Sequence, residues 1–338
     1  MDKNILFRTK NLSKSFLRNK LRNNHNNQSG SSDLKGISLD FYKGESIGLT
    51  GAYSSGASTL AGILGSEIKP DSGDIYWDDL KLSSLKKEES QQYQNKIKII
   101  SPVKLGFSKK MKTASDFIKE NLRQVHQLSE EYEDNMANEL LKSVGLDPEI
   151  GKKHMYQLND NQIKQVIVAQ ALAVNPKYII ADEVSSQSNG QIKRTLYELM
   201  LKIKARLGIG LILVDNDIAN LCNYTDRIGI MLYGRIVEVG LTEEIINSPM
   251  HPYTKRIIGL SNQRTSLNDF HLDEDLTDTS VPVGCPYAKK CKRSEVKCRL
   301  MEPELQLRSN GRSVACHNVE EQEHPAIETA ATGFGMVV

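Results

Sequence analysis

The chain has 338 residues, a formal net charge of +2, 39% hydrophobic and 25% charged residues, the composition of a globular protein able to bury a substantial core. So even a charge balance excludes the strongly basic footprint of a nucleic-acid binder, and no stretch of about 18 consecutive apolar residues is available to cross a bilayer. The opening MDKNILFRTKN lacks the apolar core of a secretory signal, so the expected compartment is the cytoplasm, where structural disulfides are rare.

In chain order, residues 5–16 read as a short strand and turn, and residues 18–33, rich in Asn, Ser and basic side chains, as a surface loop. Strands follow at 39–42 and 46–50, a helix at 60–64, and a turn leading to a strand over 70–79. Residues 86–89 (KKEE) form a solvated charge run. Another strand is predicted at 96–100, then a basic loop over 103–112. The apolar spacing across 114–144 suits amphipathic helices. Further on come a helix at 162–174, a strand at 178–181, a helix at 192–207, a strand at 211–214, a helix at 218–224, and strands at 228–232 and 234–240. Strands alternating with helices indicate an α/β domain with a mainly parallel sheet. Pro249 and Pro252 mark the approach to a boundary, beyond which a polar linker leads to a cysteine-bearing tail.

The stretch GLTGAYSSGASTLAGIL, residues 48–64, places a glycine-bearing loop between a predicted strand and a predicted helix. Loop amides and the helix N-terminus of such a unit cradle phosphates. The phosphate-loop motif is G-x-x-x-x-G-K-[ST]. Gly51 and Gly56 hold its glycines and Ser58, followed by Thr59, its hydroxyl, but Ala57 stands where the lysine belongs. A second feature agrees with the first. The apolar run Tyr178-Ile179-Ile180-Ala181 ends on Asp182-Glu183, which sets carboxylates at the sheet's carboxyl edge, where Asp182 can hold Mg²⁺ and Glu183 can polarise a water.

Nearly the whole chain resembles a nucleotide-binding subunit of an ATP-binding-cassette (ABC) importer of the oligopeptide/dipeptide group. The resemblance rests on NLSKSF, KPDSGDIYWDD, NPKYIIADE, DRIGIMLYGRIVEVG and NSPMHPYT, and on the cysteines of the tail. It implies a P-loop nucleotide-binding domain over 1–260 with a helical subdomain at about 103–174, a cysteine-rich extension over 261–325 and a loose tail over 326–338. It also implies that Phe16 stacks on adenine. ATP and Mg²⁺ are the implied cofactors, and a second nucleotide-binding subunit, two membrane permease subunits and an extracytoplasmic solute-binding protein the implied partners. The implied location is the cytoplasmic face of the membrane. Residues 103–124 would receive a permease helix, or else form a plain basic loop.

The departures from that family set the expected activity. Its signature L-S-G-G-Q is Leu158-Asn159-Asp160-Asn161-Gln162 here, without glycines and with a carboxylate facing phosphate. Asn159 or Asp160 would also serve simply as a helix N-cap. Asn216 replaces the switch histidine, Asn189 the aspartate after the catalytic glutamate, Val184 the proline that follows it, and Pro102 the coupling glutamine. A charge-assisted hydrogen bond is worth roughly 1.5–3 kcal/mol, so the missing lysine alone weakens nucleotide binding by about 10- to 150-fold. The expectation is a degenerate subunit in which Glu183 is vestigial, the chain's own site is slow or inactive, and a competent partner hydrolyses ATP. The alternatives are an active ATPase with a compensated site, or a soluble regulatory or redox-sensing protein.

Cys285, Cys291, Cys298 and Cys316 are spaced C-x5-C-x6-C-x17-C, which is not the paired C-x2-C of a zinc ribbon. Four thiolates suit an iron–sulfur cluster, as the resemblance implies, with zinc or free thiols the alternatives. Cys222 reads as a small buried hydrophobe.

Overall fold

The structure, a computed structural model, describes residues 5–16, 33–52, 54–100, 111–125, 128–182, 190–262, 283–308 and 311–319. Short runs in which every side chain is apolar or small can be buried on both faces of a sheet. Two such runs, β3 (Ser46–Thr50) and β8 (Gly210–Val214), are buried along their whole length. β7 (Tyr178–Asp182) is buried at every position but its last. The three lie parallel, with Ile47 and Ile180 both in register with Ile212. β6 (Ile97–Ile100) adds to β7, and β9 (Arg227–Leu232) adds in parallel to the other side of β3. β10 (Arg235–Leu241) then turns back antiparallel on β9.

The sequence predicts one mainly parallel sheet, and the structure adds a second, antiparallel one. β1 (Ile5–Lys14), β2 (Leu34–Tyr42), β4 (Ser72–Trp77) and β5 (Leu80–Lys81) form it in the order β2-β1-β4-β5. β2 begins five residues before the predicted start because Leu34 and Ile37, as well as Leu39 and Phe41, fill one buried face. Aromatic rings join the two sheets. Phe7 stacks on Phe41 at 4.2 Å and on Trp77 at 5.5 Å, and meets the Tyr178 ring edge-on at 5.1 Å. The Tyr178 hydroxyl donates to the carbonyl of Tyr42. α1 (Ala57–Leu64) shares this core through Leu60, Ile63 and Leu64.

The amphipathic pattern over 114–144 divides into α3 (Ala114–Val125) and α4 (Glu130–Ser143), numbered after α2 (Lys87–Lys96). Glu130, Glu131 and Glu133 open α4, which suits the positive end of its dipole. Arg123 ties the two helices, its Nε donating to both oxygens of the buried Glu133 at 3.0 and 2.9 Å. α5 (Asp160–Leu172) packs with them in a second core. The charge run at 86–89 lies at the start of α2, and α2 lays Tyr93 against Trp77. The remaining helices are α6 (Gly190–Leu207), α7 (Ile218–Cys222), α8 (Thr242–Asn247), α9 (Pro252–Asn262) and α10 (Val296–Leu300).

The cysteine-bearing tail does not stand apart in its described part. β12 (Ser313–Val314), paired with β11 (Gln306–Leu307), adds to β10 as an extension of the large sheet. Arg312, 2% exposed, is driven in beside Glu238 at 3.6 Å and donates to the carbonyls of Glu244 and Ser248. Among the described residues no helix is long and apolar enough to cross a membrane. The predicted surface loop over 18–32, the basic loop over 103–110 and the loose tail over 326–338 lie outside the described residues, as does Pro102.

Candidate functional site: a phosphate-type loop and a cysteine hollow

β3 ends in the middle of the sheet and delivers the chain to the loop. At Gly51 a Cβ would lie 2.2 Å from the Met231 carbonyl oxygen and 2.7 Å from Ser55 Cβ, so only glycine fits the sharp exit. The loop closes with Ser55 N–H on the Ala52 carbonyl at 3.0 Å, and Gly234 N–H donates to the Ser55 carbonyl at 2.8 Å. Gly56, at φ 97°, turns the chain into α1. α1 carries no acidic residue in its first turn and no side-chain cap, so the positive end of its dipole faces the loop uncompensated.

Two predicted site residues meet here. Ser58 Oγ donates to Asp182 Oδ1 at 2.9 Å, joining the start of α1 to the end of β7. A hydroxyl and a carboxylate side by side beneath a phosphate cradle are the donor pair that Mg²⁺ uses in such sites. Ala57 is 6% exposed and contributes a methyl group where a cation is needed, and Thr59 is buried. Phe16 is half-buried, its N–H donating to Asp33 Oδ1 at 2.9 Å, with Lys14 Nζ 5.6 Å from the ring centre. Glu183, Val184 and Asn189 lie outside the described residues.

Asn216 is exposed at the end of β8. Its neighbour Asp215 holds a network that sequence reasoning missed. Asp215 is buried, ion-paired to the equally buried Lys193, and accepts from Tyr197 Oη at 3.1 Å. Its own N–H donates to the Leu49 carbonyl at 3.1 Å, which ties the network to the strand feeding the loop. Beside this carboxylate, burial pushes the Tyr197 hydroxyl far above its ordinary range. The sequence held no local signal for the pair, because its partners lie on α6 and β8. Tyr253 was also missed as a contact. The Ala52 N–H, second in the loop, donates to its hydroxyl oxygen at 2.9 Å. The signal was in view, since Tyr253 belongs to the quoted NSPMHPYT.

In the signature stretch, Leu158 is buried in the helical core while Asn159, Asp160 and Asn161 are exposed. Asn159 caps α5: its Oδ1 accepts the Gln162 N–H at 2.9 Å, and Gln162 Oε1 accepts the Asn159 N–H at 3.1 Å. The capping role weighed from sequence is therefore filled by Asn159, not Asp160. Leu158 and α1 belong to different cores.

Cys285, Cys291, Cys298 and Cys316 are free thiols that line a single hollow together with His251 and Tyr287. Burial pushes the Cys285 thiol up to about 11, with the three other cysteines adding to the rise. Among the described residues no group of three or more His, Cys, Asp or Glu side chains is placed to hold a metal ion. Cys222 is half-buried, its thiol donating to the Ile218 carbonyl at 2.9 Å and raised by burial to about 11. A line of contacts leads from the hollow to the loop. Tyr287 packs on Tyr253 at 5.5 Å, and Tyr253 holds Ala52.

Residues 34–186 match the family profile described as ABC transporter, and residues 237–298 match the oligopeptide/dipeptide transporter, C-terminal region. The second match takes in His251, Tyr253 and three of the four tail cysteines, and stops short of Cys316. The chain is 26% identical over 297 residues to the oligopeptide transport ATP-binding protein OppF of Salmonella typhimurium, covering 85% of this chain and 88% of that protein. It is 25% identical over 296 residues to the dipeptide transport ATP-binding protein DppF of Escherichia coli, covering 86% and 88%. Among solved structures, cbiO1 from Clostridium perfringens, part of the ABC transporter complex cbiONQ, superposes with a TM-score of 0.60 at 22% identity, covering 77% of this chain and 97% of that one. At that identity the likeness is one of fold.

Proposed function

We propose, for a chain that carries an ABC-transporter ATPase domain followed by an oligopeptide/dipeptide transporter C-terminal region, that it is the degenerate ATP-binding subunit of a peptide-type importer. One observation carries this reading. The Ser58–Asp182 pair that would hold Mg²⁺ is in place at 2.9 Å, while the neighbouring cradle position is a buried alanine. Bound Mg²⁺ neutralises charge on the triphosphate; Ser58 and Asp182 would hold it, and the amide-lined loop and the α1 N-terminus would hold the phosphates. The cation that grips the transferred phosphate is absent from Ala57, and positioned cations supply much of the rate in phosphoryl transfer. Asn216 offers no titratable imidazole where the resembled family places its switch histidine. The subunit's own site therefore turns over slowly or not at all.

A homodimer would carry two altered sites, so the subunit pairs with a second, competent ABC ATP-binding subunit. The pair serves two permease subunits at the cytoplasmic face of the membrane, fed by an extracytoplasmic solute-binding protein. Nucleotide binding shifts the population toward the closed pair and hydrolysis releases it. Support for peptides as the cargo class comes from the relatives, described as oligopeptide and dipeptide transport ATP-binding proteins.

The tail cysteines hold an iron–sulfur cluster in this reading. Two observations fit one: four thiols facing one hollow, three of which raise the cost of ionising the fourth, Cys285, and the buried His251 Nε2 of the same hollow, which meets no partner among the described residues. A cluster is gripped at separate corners, so its ligands need not converge on one point. When bound, the cluster would supply a cross-link between the four chain segments and a site for one electron.

The test is nucleotide occupancy in the purified importer with ATP and Mg²⁺. The expected map has Mg²⁺-ATP clamped on the partner's loop and weak or no nucleotide on the loop of Ala57. A fully clamped Mg²⁺-triphosphate against Ala57 contradicts the degenerate site, and a chain that purifies without membrane subunits contradicts the importer.

A further inference from the structure

His251 is 1% exposed and sits in the wall of the cysteine hollow. Its backbone is fully engaged. Its N–H donates to Glu238 Oε2 at 2.8 Å, alongside the Met250 N–H on Oε1 at 2.9 Å. On the ring, Nδ1 accepts the Tyr253 N–H at 3.0 Å. A ring nitrogen that accepts a hydrogen bond carries no proton, so the imidazole proton is on Nε2. That Nε2–H is buried, and no hydrogen-bond partner meets it among the described residues. Leaving a buried donor unmet costs about 1–3 kcal/mol, and interiors retain few such groups unless something else satisfies them.

The surroundings narrow what could do so. The hollow is walled by four thiols, and sulfur acceptors are what it offers in quantity. Other polar side chains in the same wall are already used: His317 Nε2 is 2.9 Å from the Met301 carbonyl, and Asn318 Nδ2 donates to the Arg293 carbonyl at 2.9 Å. Among the described residues of this wall, His251 alone combines deep burial, a fixed tautomer and an unmet donor.

Resting on the reading that the four cysteines hold an iron–sulfur cluster, we propose that the Nε2–H of His251 donates a hydrogen bond to a sulfur of that cluster and thereby sets its reduction potential. A hydrogen bond to sulfide or thiolate stabilises the more negative, reduced form and raises the potential. His251 does this without ligating iron. The same residue reaches Tyr253 through Nδ1, and Tyr253 holds the second amide of the phosphate-type loop.

The experiment reconstitutes the full chain anaerobically with ferrous iron and sulfide and compares its midpoint potential with those of His251→Phe and His251→Gln. One net hydrogen bond lost in His251→Phe lowers the one-electron reduction equilibrium about tenfold, equivalent to about 59 mV. His251→Gln, which keeps an N–H donor, recovers part of the loss. In the wild-type chain, electron–nuclear double resonance of the reduced cluster detects a coupled proton that exchanges in D₂O. An unchanged potential in His251→Phe, or the absence of that proton from the wild-type spectrum, overturns the assignment to His251 and leaves the cluster standing. A wild-type chain that takes up no iron and sulfide overturns the cluster and the assigned acceptor together. Where neither variant folds or loads, the wild-type proton signal decides.

Discussion

Ala57 occupies the first position of α1, 6% exposed, beside a hydroxyl that already touches the Asp182 carboxylate. A lysine placed there would extend from the positive end of a helix into a cradle of amides, a position that is costly without an anion and favourable with one. Ala57→Lys should therefore lower the melting temperature of the nucleotide-free chain and strengthen ATP binding by about 10- to 150-fold, read by titration calorimetry. Unchanged affinity would mean that the loop no longer receives phosphate. At this scale the sequence was most legible where spacing along the chain fixes geometry. Gly51, Gly56 and Ser58 could be placed because a phosphate loop is a local object. Lys193, Tyr197 and Asp215 could not, because their contacts join α6 to β8 across the fold.

Asp226, at the entry to β9, shows how elements are tied at the opposite end of the sheet from the loop. Its Oδ2 accepts the Ser46 N–H at 2.8 Å and Lys204 Nζ at 2.7 Å, linking the start of β3 to the last turn of α6. Burial alone would raise this carboxyl, but the hydrogen bonds from Lys204 and Ser46 outweigh it and hold it below the usual carboxylate range. A carboxyl lowered in the folded state stabilises fully above its unfolded value of about 3.9. That contribution is lost as the pH falls through the depressed folded value. Asp226→Asn should thus unfold at lower urea than the wild type at pH 7, with the gap between the two closing below about pH 4. A gap that stays constant from pH 7 to pH 3 would show that the carboxylate's charge is not what ties these elements. Element type was readable wherever burial leaves a periodic trace, as in the unbroken apolar β3 and β8. β2 was read short because Lys35 and Gly36 break the alternation between Leu34 and Ile37, and α2 was missed because its sequence is almost wholly polar.

Across the whole molecule, the parallel sheet delivers the loop, the Asp182 edge and the Asp215 network to one end, while β10 and β12 carry the tail onto the same sheet. The tail was expected as a cysteine-rich extension over 261–325. Only the fold reveals that Arg312 anchors it beside Glu238 and that Tyr287 and Tyr253 lead from its hollow to Ala52. The proposed division of labour between two ATP-binding subunits rests on Ala57 in place of the loop lysine and on the glycine-free stretch from Leu158 to Gln162. The most direct test is steady-state ATP turnover by the assembled importer carrying Glu183→Gln in this chain. Turnover that stays at the wild-type rate is the predicted result, since the partner's loop would supply the hydrolysis. Turnover that is abolished would show that this chain's own site is catalytic, and would contradict the account.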